Sequence, residues 1–577
     1  MSAPVHYRLS TPHPERHLFD VCLSLDSTHD TLTFSLPDWV PGSYMIRDYA
    51  RHIVHIEATV DGHPATLRKC SKSRWQLSPA KGAVSVHYAV YALDPSVRGA
   101  YLDTRGWFCQ GVCVFLRCHE AAAAEHRVSV AAEALRPGWS LETSLPVASA
   151  DGAPDRAFRA DAYASLIDHP LMAGEVRQVD FDVFGVPHSL VIAGRCDCDP
   201  ARLAADLAAI CETHVRCFGE PPPMPHYRFL VRLGGDRLGG LEHRDCTVLA
   251  VPRRHLVRGA ARSDYADFLS LASHEYFHAW LVKRIRPAAL AGAPLDREAY
   301  TRTLWVFEGI TSYYDELALL RAGLIGPAEY LSRLATTVSR VQRGVGRLRQ
   351  SLSDASFDAW TRFYKQDENA ANAIVSYYAK GALVALALDL SLRQRSDGAL
   401  SLDAVMRAFW QRHQLGETVA EDGFETLVSE LVNEDMGAFF DQAVRGCDDV
   451  PLDIYLAAQG VSMKWQPAER APAWLGCTFR PGTTDVAVVH EDSPAQRGGL
   501  TPGDELVAWQ GVRFRAEDET ALRCTATVGE AVDLDVFRGD ELIRLSVQPA
   551  APARSVCVLE SKPGFEACRD QWLYGRV

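Results

Sequence analysis

The spacing of apolar and polar positions changes period along this chain. Over residues 1–180 the period is two, in short runs such as Thr31-Leu-Thr-Phe-Ser-Leu36 and Ala83-Val-Ser-Val-His-Tyr-Ala-Val90, punctuated by Gly, Pro and Asp. Successive side chains of a strand point to opposite faces, so these runs predict a mostly antiparallel β-domain. The tract Val179-Asp-Phe-Asp-Val-Phe-Gly-Val-Pro-His-Ser-Leu-Val-Ile192 reads as a hairpin opening the next domain. A helix then begins at Asp199-Pro200, with Asp as cap and Pro in the first turn. Strands, among them His226-Tyr-Arg-Phe-Leu-Val-Arg-Leu233, continue to about residue 252. Beyond them apolar residues recur every three or four positions, which predicts helices at 265–280, 327–348, 374–393 and 402–413. Sheet first and helices after make residues 181–460 an α+β domain with a mainly helical second half. Residues 463–473 read as a linker into a C-terminal domain, 461–552, and 553–577 as a tail.

Composition narrows the class. A chain of 577 residues should divide into roughly three or four domains, each with its own core. A formal charge of −13 argues against nucleic acid, whose phosphates demand a basic face. The opening Met1-Ser-Ala-Pro-Val-His-Tyr-Arg has neither the basic start nor the apolar stretch of a signal peptide. The best apolar run, Ala382-Leu-Val-Ala-Leu-Ala-Leu388, falls far short of the ~18 residues of a spanning helix. Fifteen cysteines, an odd number without a leader, suggest reduced thiols and a cytoplasmic location. Cys109, Cys113 and Cys118, and the pair Cys196 and Cys198, lack the C-x-x-C spacing of a structural metal site. They are expected to be free thiols, the first three buried in strands.

One run dictates a chemistry. In His274-Glu275-Tyr276-Phe277-His278, helical geometry stacks the two imidazoles on one face, where they can share a Zn²⁺. Glu275 between them is placed to act as general base toward a water. A catalytic zinc normally takes three protein ligands, so a third is expected. Glu308, in the apolar opening turn of Leu304-Trp-Val-Phe-Glu-Gly-Ile-Thr-Ser-Tyr-Tyr-Asp-Glu316, is the candidate, because a carboxylate there is costly unless paired or metal-bound. A Glu at a helix N-terminus can also be held by the dipole, but the two-His helix lacks a third ligand. Arg286-Pro287 and Gly292-Ala-Pro294 can turn the chain back between the two helices. Asp315 either orients an imidazole or lies on a solvated helix face.

These residues resemble the gluzincin metallopeptidases, which pair a two-histidine helix with a Glu from a later helix. Gly239-Gly240-Leu241-Glu242-His243 resembles the edge-strand motif with which aminopeptidases of that clan hold a free amino terminus. Tyr378-Ala379-Lys380-Gly381 resembles the segment whose tyrosine hydrogen-bonds the oxyanion, with Tyr377 a competitor one residue away. Pro37-Asp-Trp-Val-Pro-Gly-Ser-Tyr-Met-Ile-Arg-Asp48 is similar to a signature of the glycyl aminopeptidase family. That family ends in a PDZ domain, and Asp492-Ser-Pro-Ala-Gln-Arg-Gly-Gly-Leu-Thr-Pro-Gly-Asp504 resembles the bacterial PDZ signature. His243 replaces the Asn of better-known aminopeptidases, and the spacing from second histidine to glutamate is longer; both fit the glycyl branch.

The resemblance implies a thermolysin-like catalytic domain holding one Zn²⁺ on His274, His278 and Glu308, with Glu275 and Tyr378 catalytic. Glu242, with Gly239 and Gly240, would bind the substrate's ammonium, giving an aminopeptidase that prefers N-terminal Gly or Ala. Its partners would be peptides with a free N-terminus, and no nucleic acid or membrane. Trp474-Leu475-Gly476-Cys477 could offer backbone amides to the carboxylate of a C-terminal peptide ligand. The alternatives are an endopeptidase on the same zinc, in which Glu242 is only an edge-strand charge, and a peptide-binding protein with a non-catalytic zinc.

Overall fold

The computed structural model describes residues 4–148, 155–236, 238–414, 416–467, 473–551 and 555–575. They gather into two compact units, one of residues 1–300, 314–324 and 409–419, the other of 301–313, 325–408 and 420–577.

The first unit opens with the expected β-domain. Seven strands lie in the order Arg156–Ala160, His126–Val130, Val5–Ser10, Leu18–Ser27, Gly82–Tyr91, Ile53–Val60 and His63–Ala65. Leu18–Ser27 pairs antiparallel with Gly82–Tyr91 along its full length, and alternate residues such as Phe19, Leu23, Val84 and Val86 are buried. One pairing departs from the antiparallel expectation: Val5–Ser10 runs parallel to His126–Val130, joined by more than a hundred residues of chain rather than a hairpin. Cys109, Cys113 and Cys118 are buried free thiols, and burial pushes Cys109 and Cys118 up to about 12. Cys113 is in the short helix Gly111–Val114 and not in a strand, because the chain turns there through Cys113 N–H to Gln110 C=O.

The same unit carries a five-stranded sheet in the order Val176–Val183, Val186–Ala193, Tyr227–Leu233, Cys246–Val251 and Gly239–Glu242. The hairpin read from the sequence turns at Phe184 and Gly185, both at positive φ, as a two-residue turn between twisted strands requires. The crossover is the helix Pro200–Phe218, whose first turn is closed by the Asp199 carboxylate accepting from the Arg202 N–H at 3.3 Å. Gly239–Glu242 forms the edge, antiparallel to Cys246–Val251. Beside the sheet lies the helix Arg262–Phe277.

The helix Leu402–His413 matches its expectation, whereas two helices of the second unit are trimmed for one reason. The helix Pro327–Arg343 stops at Gly344, and Ala379–Arg395 starts five residues later than the pattern suggested. Segments 344–350 and 371–375 cross so closely that a Cβ on Gly346 would sit 2.6 Å from the Ile374 nitrogen. There the Gln350 side chain takes the Val375 N–H at 3.1 Å, replacing a helical bond with a side-chain one.

Part of the expected linker is structured. Val461–Gln466 pairs antiparallel with Val556–Ser561, since its residues extend a strand rather than a loop; 468–472 and the boundary at 552–554 lie outside the described residues. The expected tail adds the helix Glu566–Tyr574, whose buried Trp572 donates to the Tyr313 hydroxyl at 3.0 Å. Between these, residues 473–551 form a small β-module with a core of its own, including Leu475, Val486, Trp509, Leu534 and Val536. Among the described residues no helix is long and apolar enough to cross a membrane.

His188 ties the five-stranded sheet to the histidine-bearing helix. Its Nδ1–H donates to Val186 C=O at 2.9 Å, and its Nε2 accepts from the Tyr276 hydroxyl at 3.0 Å. Burial lowers its pKa to about 4. Between an unfolded value of ~6.5 and that folded value, the unfolded chain binds a proton the folded chain refuses. Stability is therefore full above that window and falls as pH drops through it, by on the order of 3 kcal/mol at saturation. Thermal unfolding measured from pH 7.5 to 4.5 should show this loss, with a shallower pH slope in His188→Asn; equal slopes would refute the assignment.

Candidate metal centre

The two histidines stack as their spacing requires, His274 in the last turn of Arg262–Phe277 and His278 capping it, with ring centroids 4.8 Å apart. Each ring is oriented through Nδ1: His274 to the Asp315 carboxylate at 3.2 Å, and His278 to the Leu281 carbonyl at 3.1 Å. With the Nδ1 protons so directed, Nε2 is the coordinating atom of both rings. Asp315 therefore orients an imidazole. Its side chain is only 15% exposed, which removes the solvated-face alternative.

Glu308 arrives on a π-helical turn, Trp305–Gly309, from which the helix Ile310–Arg321 continues. A π-turn widens the helix by one residue and is recurrent at functional sites. Here it presents a carboxylate from within an otherwise apolar turn. Donor atoms of His274, His278 and Glu308 all lie within 4.8 Å of one another, a spacing that one ion drawing each ligand to ~2 Å can bridge. Two neutral imidazoles and a carboxylate, buried together, are the donor set of a single Zn²⁺.

The turn that carries Glu308 touches the start of Ala379–Arg395 glycine to glycine. A Cβ on Gly309 would sit 2.6 Å from the Gly381 Cα, and one on Gly381 would sit 2.8 Å from the Gly309 Cα. This contact brings the tyrosine pair toward Glu308. The Tyr377 ring is completely buried, whereas Tyr378 is mostly buried but keeps some exposure, and its hydroxyl lies 3.3 Å from that of Tyr364. Burial, and after it the charge of Glu308, raise the Tyr378 pKa well above its usual value, so the phenol keeps its proton. Lys380, buried as well, donates to the Arg347 carbonyl at 3.2 Å.

The edge strand Gly239–Glu242 lies against the general-base candidate. A Cβ on Gly240 would come within 2.5 Å of the Glu275 Cγ, so the strand approaches Glu275 with its backbone. Residues 240 and 242 share one face of the strand. The Glu242 side chain, 4% exposed, thus projects on the same side as Glu275. Behind it His243 is a buried structural residue. Its Nδ1 faces Asp168 at 3.3 Å and its Nε2 accepts from the Gln110 amide at 3.1 Å. Burial would raise Asp168, but Lys283 at 2.6 Å and His243 hold it well below the usual carboxylate range.

Leu475, Gly476 and Cys477 lie in the C-terminal module, outside the ligand cluster. The side chains of Leu475 and Cys477 are buried in its core, so only backbone is available there. Sequence reasoning missed the supports of the metal helix: His188 on Tyr276, and His214, whose Nε2 lies 2.8 Å from the Ser273 hydroxyl. Isolated histidines in apolar stretches were their only signal.

The sequence matches the family described as "Peptidase M61 N-terminal domain" over residues 6–175, and "M61 glycyl aminopeptidase" over residues 267–384. Among curated proteins no sequence matches. A solved structure of an aminopeptidase N family protein from Idiomarina loihiensis is 36% identical, covers 99% of this chain and 100% of its own, and superposes with a TM-score of 0.94. A mutant M1 zinc metallopeptidase from Deinococcus radiodurans, 16% identical, covers 78% of this chain and 96% of its own at a TM-score of 0.50, a likeness of fold. The full-length likeness to an aminopeptidase, and family matches over both the N-terminal domain and the ligand-bearing helices, lead to one conclusion: this chain belongs to the M61 glycyl aminopeptidase family, and is a zinc metallopeptidase of the gluzincin type.

Proposed function

We propose that this aminopeptidase releases one residue at a time, preferring Gly or Ala, with Glu242 as the anchor for the substrate's ammonium. The observation that carries this reading is the strand Gly239–Glu242, whose Gly240 backbone touches Glu275 while Glu242 emerges on the same face. Two strand residues span ~7 Å. That is room for one amino acid whose amine pairs with Glu242 and whose carbonyl is attacked beside Glu275.

Zinc, when bound, supplies the Lewis acidity that polarises the scissile carbonyl and makes water a nucleophile at neutral pH. Glu275 takes the water proton and returns it to the leaving amine. Tyr378 donates to the oxyanion; its residual exposure and its nearness to Glu308 favour it over the fully buried Tyr377. Gly239 and Gly240 leave the strand backbone accessible to the peptide. We infer a catalytic domain at 181–460, and a cytoplasmic protein, for which fifteen free thiols are the support.

The C-terminal module, 461–552, is proposed to be a PDZ domain. Gly476, at φ +79°, shapes a loop before the strand Cys477–Phe479, and Arg523 of the helix Glu519–Cys524 donates to the Ala473 carbonyl at 3.3 Å beside it. Backbone amides of Leu475, Gly476 and Cys477 would receive a peptide's C-terminal carboxylate.

Three measurements test these readings. Glu275→Gln should retain zinc yet lose ~10²–10⁴-fold in turnover, while Glu308→Ala loses zinc, and Tyr378→Phe lowers kcat by ~3 kcal/mol of barrier with KM little changed. Metal analysis beside steady-state kinetics decides; zinc lost from the Gln variant would reverse the two carboxylates. Gly- and Ala-initiated peptides should be cleaved and their acetylated forms refused, with Glu242→Ala losing most activity on the free ones. Equal or internal cleavage of blocked peptides would make the enzyme an endopeptidase. Calorimetric titration with a panel of peptides should find ligands that bind with a free C-terminus and not when amidated; no binder in either form removes the PDZ reading.

A further inference from the structure

We infer that the loop Pro41–Tyr44 of the N-terminal domain is the stop of the substrate cleft, with the Gly42 backbone as the wall that fixes the Glu242 carboxylate. This rests on the reading of Glu242 as amine anchor and names what makes that anchor an end.

Gly42 has φ +96°, a left-handed conformation costly for any residue with a Cβ. An added Cβ would also sit 2.7 Å from the Cδ and the Oε2 of Glu242, so the loop backbone lies directly on that carboxylate. The conformation favours glycine at this position, and a Cβ there would displace the Glu242 carboxylate. The loop is held rigidly in place. Asp38 N–H donates to Leu295 C=O at 2.7 Å, Arg47 N–H to Asp38 C=O at 2.6 Å, and the Trp39 indole to Pro294 C=O at 3.1 Å. Ser43 Oγ accepts from Arg47 at 2.7 Å and from Arg98 Nε at 2.9 Å. The other arm of Arg98 reaches the Gly240 carbonyl at 3.5 Å, linking the loop to the strand that touches Glu275.

A carboxylate with main chain packed against one side is confined on that side, so an ammonium paired with it is held to a narrow range of positions against the loop. Endopeptidases need the cleft open at this point. The N-terminal loop closes it, which makes Gly42 and Arg98 positioning residues for exopeptidase specificity.

The test compares Gly42→Ala, Arg98→Met, Glu242→Ala and the parent enzyme, all zinc-loaded, on Ala-initiated peptides with free and acetylated ends. Gly42→Ala should raise KM on the free peptide by at least ~10-fold, the worth of a displaced charge-assisted hydrogen bond, with kcat less affected. The ratio of free to acetylated cleavage should move toward that of Glu242→Ala. Arg98→Met, which leaves both Gly42 and Glu242 in place, should shift KM and the ratio the same way by less, and decides the matter if Gly42→Ala does not fold. Parent-like KM and ratio in the folded loop variants, with both lost in Glu242→Ala, would overturn the stop and leave the anchor. A parent-like ratio in Glu242→Ala would overturn both.

Discussion

Burying the Glu308 carboxylate is the constraint around which the site is organised. Glu308 is 2% exposed and follows Trp305, Val306 and Phe307, all buried. An ionised carboxylate in such surroundings is strongly disfavoured unless a cation or donors replace the lost water. A divalent ion shared with His274 and His278 does so, and the three ligands are tolerable together only as a set. The widened turn at Trp305–Gly309 and the Asp315 contact that orients His274 both serve that arrangement. The supports of the metal helix, His188 and His214, stay neutral because burial lowers both. The two supports thus add no charge of their own to the metal helix.

Packing around this centre is set by glycines whose role is steric. Gly240 and Gly309 do not adopt positive φ; they are small because another chain segment occupies the place of a side chain. At Gly240 the neighbour is the Glu275 side chain, and at Gly309 it is the Gly381 backbone. Each contact joins two pieces of chemistry. The first aligns the edge strand with Glu275. The second sets the tyrosine pair beside the third ligand. A methyl group at Gly309 would push two backbones apart, since backbone cannot move aside as a side-chain tip can, and one at Gly240 would displace the Glu275 side chain itself.

What the sequence made legible follows from the range of the forces involved. The His274–His278 pair, the Phe184-Gly185 hairpin and the Asp199-Pro200 helix start depend on neighbours a few residues away, and each stands as read. Glu308 was legible through chemistry rather than pattern, as an awkward carboxylate beside an incomplete ligand set. The features that escaped are long-range. The helix expected from Ile374 starts at Ala379 because Gln350 intercepts a backbone N–H, and no local period encodes that. The parallel partner of Val5–Ser10 lies more than a hundred residues on. Residues 463–466 read as linker, although they belong to the strand Val461–Gln466, because their partner strand, Val556–Ser561, follows on the far side of a whole module.

That module poses a last question of physics: whether a domain packed onto its neighbours can still accept a ligand. Within the second unit, Asn372 grips it with both ends of one amide. The Nδ2 group donates to Val489 C=O at 3.0 Å, and Oδ1 accepts from the Glu491 N–H at 3.0 Å, with an Arg349–Glu491 ion pair alongside. This clamp holds the strand Val486–Val489 at its end, six residues upstream of Tyr378. Packing alone would therefore justify keeping the module. Yet the strand proposed to receive a peptide is Cys477–Phe479, which pairs on one side with Val486–Val489 and with no other strand among the described residues. Clamp and outer edge use different backbone groups, so docking does not consume the edge. A peptide added to Cys477–Phe479 would extend a sheet whose other strand is tied, through Asn372, to the segment that carries Tyr378.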